Sequence, residues 1–208
     1  VRSIIEMLDR GEDAWVVRNN IERLIKEQKE LREKTQETGR STAGRDVDQL
    51  SPQEKSEIAR IAELQDRLAE ETKALLDDMR ERQKKLSEKD PAAAQGMSQA
   101  AQRAESEQIE QTMRNAASDA SQNQTSSASR QQQQAQESLE EMLEDLNAGD
   151  RARDETLRRA LASIIESLEA LVNQQQEEIA LLDEVIRDRK PYTGLDARMI
   201  RLNQNTIG

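Results

Sequence analysis

The sequence predicts an all-α protein: an elongated antiparallel coiled coil or helical-bundle array of five to seven helices. Two observations lead to this prediction. The 208-residue chain is 35% charged, 34% hydrophobic and only 1% aromatic, so a single large core is out of reach, whereas Ala, Glu, Lys, Leu, Arg and Gln dominate as they do in long helices. Apolar residues also recur at the alternating three- and four-residue spacing of helices that pack side by side.

The first predicted helical repeat covers residues 1–37, with a break at Gly11. Its stripe combines three aliphatic residues with an amide and a hydroxyl, at positions where a coiled coil normally carries another apolar residue. The five stripe residues are Ile21, Leu24, Gln28, Leu31 and Thr35. Residues 38–50, which follow, are rich in Gly and Ser and lack periodicity, so they are predicted to form a loop.

A long helix is predicted over residues 51–90. Ser51 is typical of an N-cap, Pro52 suits the first helical position, and Glu54 completes a capping box. This helix repeats the polar phrase of the first one, 37 residues further along the chain. The residues that take the amide and hydroxyl positions in this second copy are Gln65 and Thr72.

Residues 91–147 are rich in Ala and Gln, which favours a helical hairpin with small-residue packing and a turn at 121–127. A partly disordered low-complexity linker is the alternative, because little apolar area is available there. The "NAGD" run at 147–150 predicts another turn, followed by a long helix over residues 148–190 with Gln175 on its stripe. Residues 191–208 are predicted to start a further helix, in a chain that we interpret as a fragment of a longer protein.

The polar stripe residues form one set: Gln28, Thr35, Gln65, Thr72 and Gln175. A buried amide finds its partner only in one alignment, so such residues specify register and oligomeric state at some cost in stability. If the first two predicted helices pack antiparallel, Gln28 and Gln65 meet in a shared amide layer. A polar ligand pocket and solvated helix ends are the alternatives.

The composition argues against most catalytic chemistry. The chain has no Cys and no His, which removes structural zinc sites, thiol nucleophiles and imidazole acid–base catalysis. Its carboxylate pairs are interleaved with Lys and Arg at helical spacing, as on solvated faces. We therefore predict a protein that is not an enzyme and has no cofactor or metal site.

The charge and hydropathy of the chain also limit its partners. A net charge of −11 opposes binding to nucleic acid or to an anionic membrane surface. No apolar run approaches the roughly 18–20 residues that a membrane span needs, although an anchor in the parent protein is compatible with a fragment. The expected partner is another protein, or a second copy of the chain, bound through the helical stripes.

Two phrases, "IARIAELQDRLAEETKALLDDM" and "RQQQQAQESLEEMLEDL", resemble segments of large uncharacterised bacterial helical-repeat proteins. Those proteins are envelope-associated, are common in planctomycetes and often carry an amino-terminal membrane anchor. The shared elements are a Gln-x-x-Leu-x-x-x-Thr phrase at 65–72 and the Leu-Glu-Glu-Met-Leu run at 139–143. The resemblance implies an extracytoplasmic structural region in the envelope or periplasm, with a cytoplasmic location as the alternative. It supplies no functional residues.

These observations predict a structural or interaction protein, a helical spacer or docking scaffold in a larger assembly. The rival interpretation is an acidic adaptor or holdase that clasps a client in an apolar groove. Such a groove would lie along Leu157 to Ile186, where the stripe is richest in Leu and Ile.

Overall fold

The computed structural model describes residues 11–188. The fold is all-α, as predicted, with no strand in this part of the chain. The chain divides into two compact units, residues 1–155 and 156–208. We call residues 11–155 the bundle unit and residues 156–188 the second unit. The five helices of the described residues are α1 (Gly11–Thr42), α2 (Pro52–Leu86), α3 (Pro91–Ser106), α4 (Ile109–Ser121) and α5 (Thr125–Asp188), with a 3₁₀ turn at Val47–Gln49.

The helix starts follow local sequence signals. Ser51 caps α2: its hydroxyl accepts from the backbone N–H of Glu54, whose carboxylate accepts in return from the backbone N–H of Ser51 at 2.9 Å. Asp90 caps α3 with a single contact, in which its carboxylate accepts from the backbone N–H of Ala93 at 3.1 Å. Each cap satisfies N–H groups that have no partner within the helix.

Neighbouring helical columns of the bundle unit run antiparallel. Near the start of α1, Arg23 pairs with Glu71 of α2 at 2.7 Å; beyond its end, Arg45 pairs with Glu54 at 2.5 Å. Partner numbers therefore fall along α2 as they rise along α1. The ion pairs Arg80–Glu105 and Arg114–Glu70 give the same result for α2 against α3 and α4.

The first part of α5 closes the bundle against both α1 and α3. Gln36 donates to Ser129 at 3.0 Å, and Arg18 forms an ion pair with Asp150, so α5 runs opposite to α1. Arg103 of α3 bonds Glu141 and Asp145 of α5. The result is an up-down-up-down bundle of four helical columns, in which α3 and α4 form one interrupted column.

The core of the bundle unit is built from aliphatic, Met and Ala side chains. The α3 and α4 column contributes mainly Ala, and the other columns contribute the larger residues. Ala side chains on that column allow close helix packing, which supports the ordered hairpin over the disordered alternative. Examples that are completely or almost completely buried are Ile21, Leu24, Met79, Ala100, Met113, Ala116, Leu139 and Met142.

The predicted loop at 38–50 is too long, because α1 continues to Thr42. Thr38 and Thr42 are buried, and the Thr42 hydroxyl lies 2.9 Å from the Thr38 carbonyl oxygen and 2.7 Å from Asn123 Oδ1. Packing against the start of α5 therefore extends the helix through a Gly- and Ser-rich stretch, since tertiary contacts override weak local propensity. Gly44, with φ of +71°, lies in the loop that follows the helix.

The predicted turn at 147–150 is wrong, because α5 continues through it. Gly149 instead lies against Gly96 of α3. A Cβ on Gly149 would lie 3.0 Å from both the Ala92 carbonyl oxygen and the Gly96 Cα. The glycine is thus needed for close helix packing rather than for a turn, and the helices predicted on either side of it form one helix.

Two further differences concern helix boundaries. The α3 and α4 column breaks at Glu107 and Gln108, where Gln108 adopts a left-handed conformation with φ of 52°. The predicted end of the long helix near Pro191 and the helix start at 191–208 lie outside the described residues. So do residues 1–10, on the amino-terminal side of the break predicted at Gly11.

Candidate functional site

The structure brings three glutamines together in the centre of the bundle unit. Gln28 and Gln65 exchange two hydrogen bonds: Gln28 Nε2 donates to Gln65 Oε1 at 3.0 Å, and Gln65 Nε2 donates to Gln28 Oε1 at 2.9 Å. Gln132 of α5 donates through Nε2 to the same Gln65 Oε1 at 2.9 Å. All three side chains are completely buried. We call these residues the amide layer.

Gln132 is the member of the amide layer that is not predicted from the sequence. It lies in the run Gln131 to Gln134, which resembles a polar low-complexity tract. The signal that could have found it is its spacing, because Ala128, Gln132, Ala135 and Leu139 follow the same four-three-four stripe, and all four are buried. Gln132 Oε1 has no hydrogen-bond partner among the described residues.

The layer links three of the four columns and fixes their axial alignment. A shift by one residue in α1, α2 or α5 would move an amide out of reach and leave buried polar atoms without partners. Each such atom costs about 1–3 kcal/mol, so the layer selects one register.

The two stripe threonines occupy separate places. The Thr35 hydroxyl donates to the Leu31 carbonyl oxygen of its own helix at 2.9 Å. The Thr72 hydroxyl donates to the Met113 sulfur of α4 at 3.4 Å. Both side chains are completely buried, and neither contributes to the amide layer.

Gln175, the remaining stripe residue, is exposed in the second unit. It does not join the amide layer, whose members all lie in the bundle unit. The same residue type on the same kind of stripe is therefore buried and paired in one unit and open to solvent in the other.

Asn123 forms a second polar contact that the sequence analysis does not select. It adopts a left-handed conformation with φ of 58° in the turn between α4 and α5. Its Nδ2 donates to the Arg45 carbonyl oxygen at 2.7 Å and to the Thr42 carbonyl oxygen at 3.3 Å. Asn123 thus supplies partners for carbonyl groups at and just beyond the end of α1, and joins the two hairpins of the bundle.

Hydrogen-bonded Arg side chains lower the pKa of several carboxyl groups. Hydrogen bonds from the Arg45 side chain, and then from Ser51, lower the pKa of Glu54 to about 2. At Glu71, partial burial raises the pKa, but hydrogen bonds from Arg23 and Arg67 outweigh it, so the pKa is lowered overall. The carboxylates are thus held charged by structural partners, which is typical of packing contacts.

The second unit carries the largest uncovered apolar surface in the described residues. Eight of the nine large apolar side chains that are exposed lie here, and Trp15 is the ninth. At 3.6 residues per turn they share one stripe, about 120° wide. We call this stripe the apolar face, and its residues are Leu161, Ile164, Ile165, Leu168, Leu171, Val172, Ile179 and Ile186, between 43% and 73% exposed.

The described residues contain no group of acidic side chains placed to bind a metal ion. Between residues 11 and 188, no helix has both the length and the apolarity that crossing a membrane requires. Comparison of the chain with models of protein families, with curated proteins and with solved structures finds no match. The resemblance to envelope-associated helical-repeat proteins therefore stays a prediction from the two sequence phrases.

Proposed function

We propose that the chain is a non-catalytic docking scaffold, in which the bundle unit is a helical spacer and the apolar face binds a protein helix. The observation that supports this most is the apolar face itself. Its side chains are about half exposed or more, whereas the equivalent stripes of the bundle unit are buried. A helix with an open stripe of this width is completed by another helix, because burying it removes a large apolar area from water.

The bundle unit suits the role of a spacer. Its columns are aligned by the amide layer, by the Asn123 contacts and by ion pairs between helices. Arg103 is an example, since its guanidinium contacts Glu141 at 2.6 Å and Asp145 at 2.7 Å across two helices. Exposed pairs contribute little stability singly, but together with the amide layer they favour one alignment.

The non-catalytic part of the proposal rests on composition. Without Cys or His, the chain would need carboxylates, hydroxyls or Lys alone for catalysis, and the carboxylates with a lowered pKa are paired with Arg. The proposed location is the bacterial cell envelope. The resemblance of the two sequence phrases supports it, and the absence of cysteine is compatible with an oxidising compartment.

A holdase-type adaptor is the second candidate, and the same apolar face favours it. The two candidates differ in what the face binds. A scaffold takes one helix in one register, whereas a holdase takes unrelated apolar segments and keeps the face open between clients.

Amide hydrogen exchange at residues 161–186 tests the proposal. Leu168→Glu with Val172→Glu places two charges on the apolar face, and Ala170→Glu with Asn173→Glu places the same charges on the opposite side of the helix. If a helix is docked on the face in the sample that is measured, the parent chain and the outer-side variant exchange slowly, and the face variant exchanges at least tenfold faster. Fast exchange in all three, with uptake of an apolar dye by the parent chain, would favour the holdase instead.

A further inference from the structure

We propose that the groove between the end of α1 and the start of α5 binds an oxyanion of the phosphate class through two arginines and the hydroxyl groups of α5. We call it the α5 groove. It lies entirely in the bundle unit, so its ligand is independent of the helix that docks on the apolar face. The lining residues that would hold or shape the ligand site are Gly39, Arg40, Thr125, Ser126, Ser129 and Arg130.

The α5 groove has the size of a ligand site. Its volume is about 540 Å³, within the range of about 300–1,000 Å³ that is typical of ligand pockets in proteins. It therefore has room for an anionic group together with part of a molecule that carries it.

The Thr125 hydroxyl is the buried polar group that points to a ligand. Thr125 is only 9% exposed and lines the groove, yet its hydroxyl has no hydrogen-bond partner within residues 11–188. A Cβ on Gly39 would meet this hydroxyl and lie 2.9 Å from the Thr125 Cβ, so the glycine lets the hydroxyl lie directly against α1. Because a buried hydroxyl without a partner costs stability, we expect a group in the groove to supply one.

The first turn of α5 provides further donors. Gln36 Nε2 donates to the Ser129 hydroxyl oxygen at 3.0 Å, which leaves the Ser129 O–H to donate to a ligand. The main-chain N–H groups of Thr125 and Ser126 have no acceptor within residues 11–188, as is usual before the first complete turn of a helix. The first turn also contains no acidic residue. The positive end of the helix dipole therefore favours an anion at this position.

Two arginines give the α5 groove its positive charge. Arg40 and Arg130 both line it, and neither forms a hydrogen bond or ion pair with another residue in the described part of the chain. Arg103 and Arg114, by contrast, are held by carboxylates of the bundle unit. A guanidinium that is not engaged in this way can offer its fork of N–H donors to a ligand oxyanion.

Acidic residues are absent from the segments that build the groove. Residues 38–45 and 120–136 contain three Arg and no Asp or Glu, although the net charge of the whole chain is −11. One of the three, Arg45, is paired with Glu54, so the local surplus is carried by Arg40 and Arg130. Since the net charge of the chain repels anions at long range, direct contacts in the groove must retain the ligand.

The number of donors favours a phosphate-type group over a carboxylate. A phosphate ester carries up to two negative charges and three strong acceptor oxygens, whereas a carboxylate carries one charge on two oxygens. Two guanidinium groups, two hydroxyl groups and the main-chain N–H groups at the start of α5 exceed what a carboxylate can accept. The same donors suit sulfate.

A phosphate titration followed by NMR of the backbone amides tests the site. Inorganic phosphate replaces chloride at constant ionic strength, and we expect saturable shifts of the amide signals of residues 125–129. Arg40→Gln with Arg130→Gln should weaken binding by about tenfold or more, because charge-assisted hydrogen bonds are lost. Arg60→Gln with Arg158→Gln removes the same charge from exposed positions outside the groove and should change the affinity by less than about twofold.

A second variant separates the hydroxyl from the charge. Thr125→Val keeps the shape of the side chain that packs against Gly39 but removes its hydroxyl, so phosphate binding should weaken by about threefold or more. Ser127→Ala, in the same turn but outside the groove lining, is the matched control and should leave the affinity unchanged. Circular dichroism checks that each variant keeps its helices.

Glycerol 3-phosphate and inorganic sulfate identify the source of the anion. Tighter binding of glycerol 3-phosphate than of inorganic phosphate would show that the groove takes a phosphate carried by a larger molecule, and the reverse order would show that it takes a free anion. No saturable shift with any of the three, or equal weakening in the groove variant and its charge-matched control, would overturn the proposal. Either result would leave the docking scaffold intact, because hydrogen exchange at residues 161–186 tests that function separately.

Discussion

The two halves of α5 have the same kind of stripe but different surroundings. Leu139, in the bundle unit, is completely buried, whereas Leu168, four heptads and one residue further along the same helix, is 55% exposed. Gln132 and Gln175 differ in the same way. A stripe therefore marks the side of a helix that is suited to burial. Whether that side is buried depends on whether other helices pack against it.

The comparison also separates two roles of a polar stripe residue. In the bundle unit each buried amide contacts other amides, and these contacts form in only one axial alignment of the helices. On an exposed face an amide is hydrogen-bonded to water and does not favour one register of a neighbouring helix over another. The register signal therefore becomes effective only after a second helix docks.

The largest expected effect comes from one substitution made in both halves of α5. Leu139→Ala should lower the free energy of unfolding of the bundle unit by about 3 kcal/mol, because it leaves a cavity in a packed core. Leu168→Ala should change it by less than about 0.5 kcal/mol. Urea unfolding followed by circular dichroism compares the two. Equal losses would mean that the stripe of the second unit is packed as tightly as that of the bundle.

A smaller effect is expected in the amide layer. Gln65→Leu removes the partner of two atoms of Gln28 and of Gln132 Nε2, while the new Leu side chain gains apolar burial that offsets part of this cost, so the free energy of unfolding should fall by about 2 kcal/mol. Replacing Gln28, Gln65 and Gln132 together with Leu should recover that loss, because no buried amide is then left without a partner. Thermal unfolding and light scattering of both variants give stability and oligomeric state. A triple variant less stable than the single one would contradict this account.

The smallest effect concerns pH. The pKa of Glu54 is lowered to about 2 from an ordinary 4.5, so its contribution to stability is complete above pH 4.5 and is lost as the pH falls towards 2. Glu54→Gln should therefore differ from the parent chain at pH 6 and converge with it near pH 2. Urea midpoints across this range provide the measurement, with the exposed Glu57→Gln as the control. A constant difference at every pH would count against the assignment.

Helix caps and stripes were predictable because both signals are local. Ser51, Pro52 and Glu54 start α2 as their sequence predicts, and Gln28 and Gln65 stand out because the phrase around them occurs twice. Gln132 was hidden, since its neighbours Gln131, Gln133 and Gln134 mask the stripe, and the stripe itself is mostly Ala.

The boundaries that could not be predicted depend on contacts between distant residues. Residues 38–42 are poor in helix-favouring signals, and they are helical because Thr38 and Thr42 are buried against other parts of the bundle. The sequence around Gly149 is typical of a turn. Its role in close helix packing becomes clear only from the position of Gly96, which is distant in sequence. Asn123 likewise acts on carbonyl groups about 80 residues away.

The contact between Gly96 and Gly149 has a consequence for how the sequence can drift. At most core positions a new side chain is accommodated when its neighbours change rotamer or size. Here a Cβ on either glycine meets the main chain of the opposite helix, and no substitution elsewhere can remove a main-chain atom. Each glycine therefore restricts the other, and we expect relatives of this chain to keep both glycines.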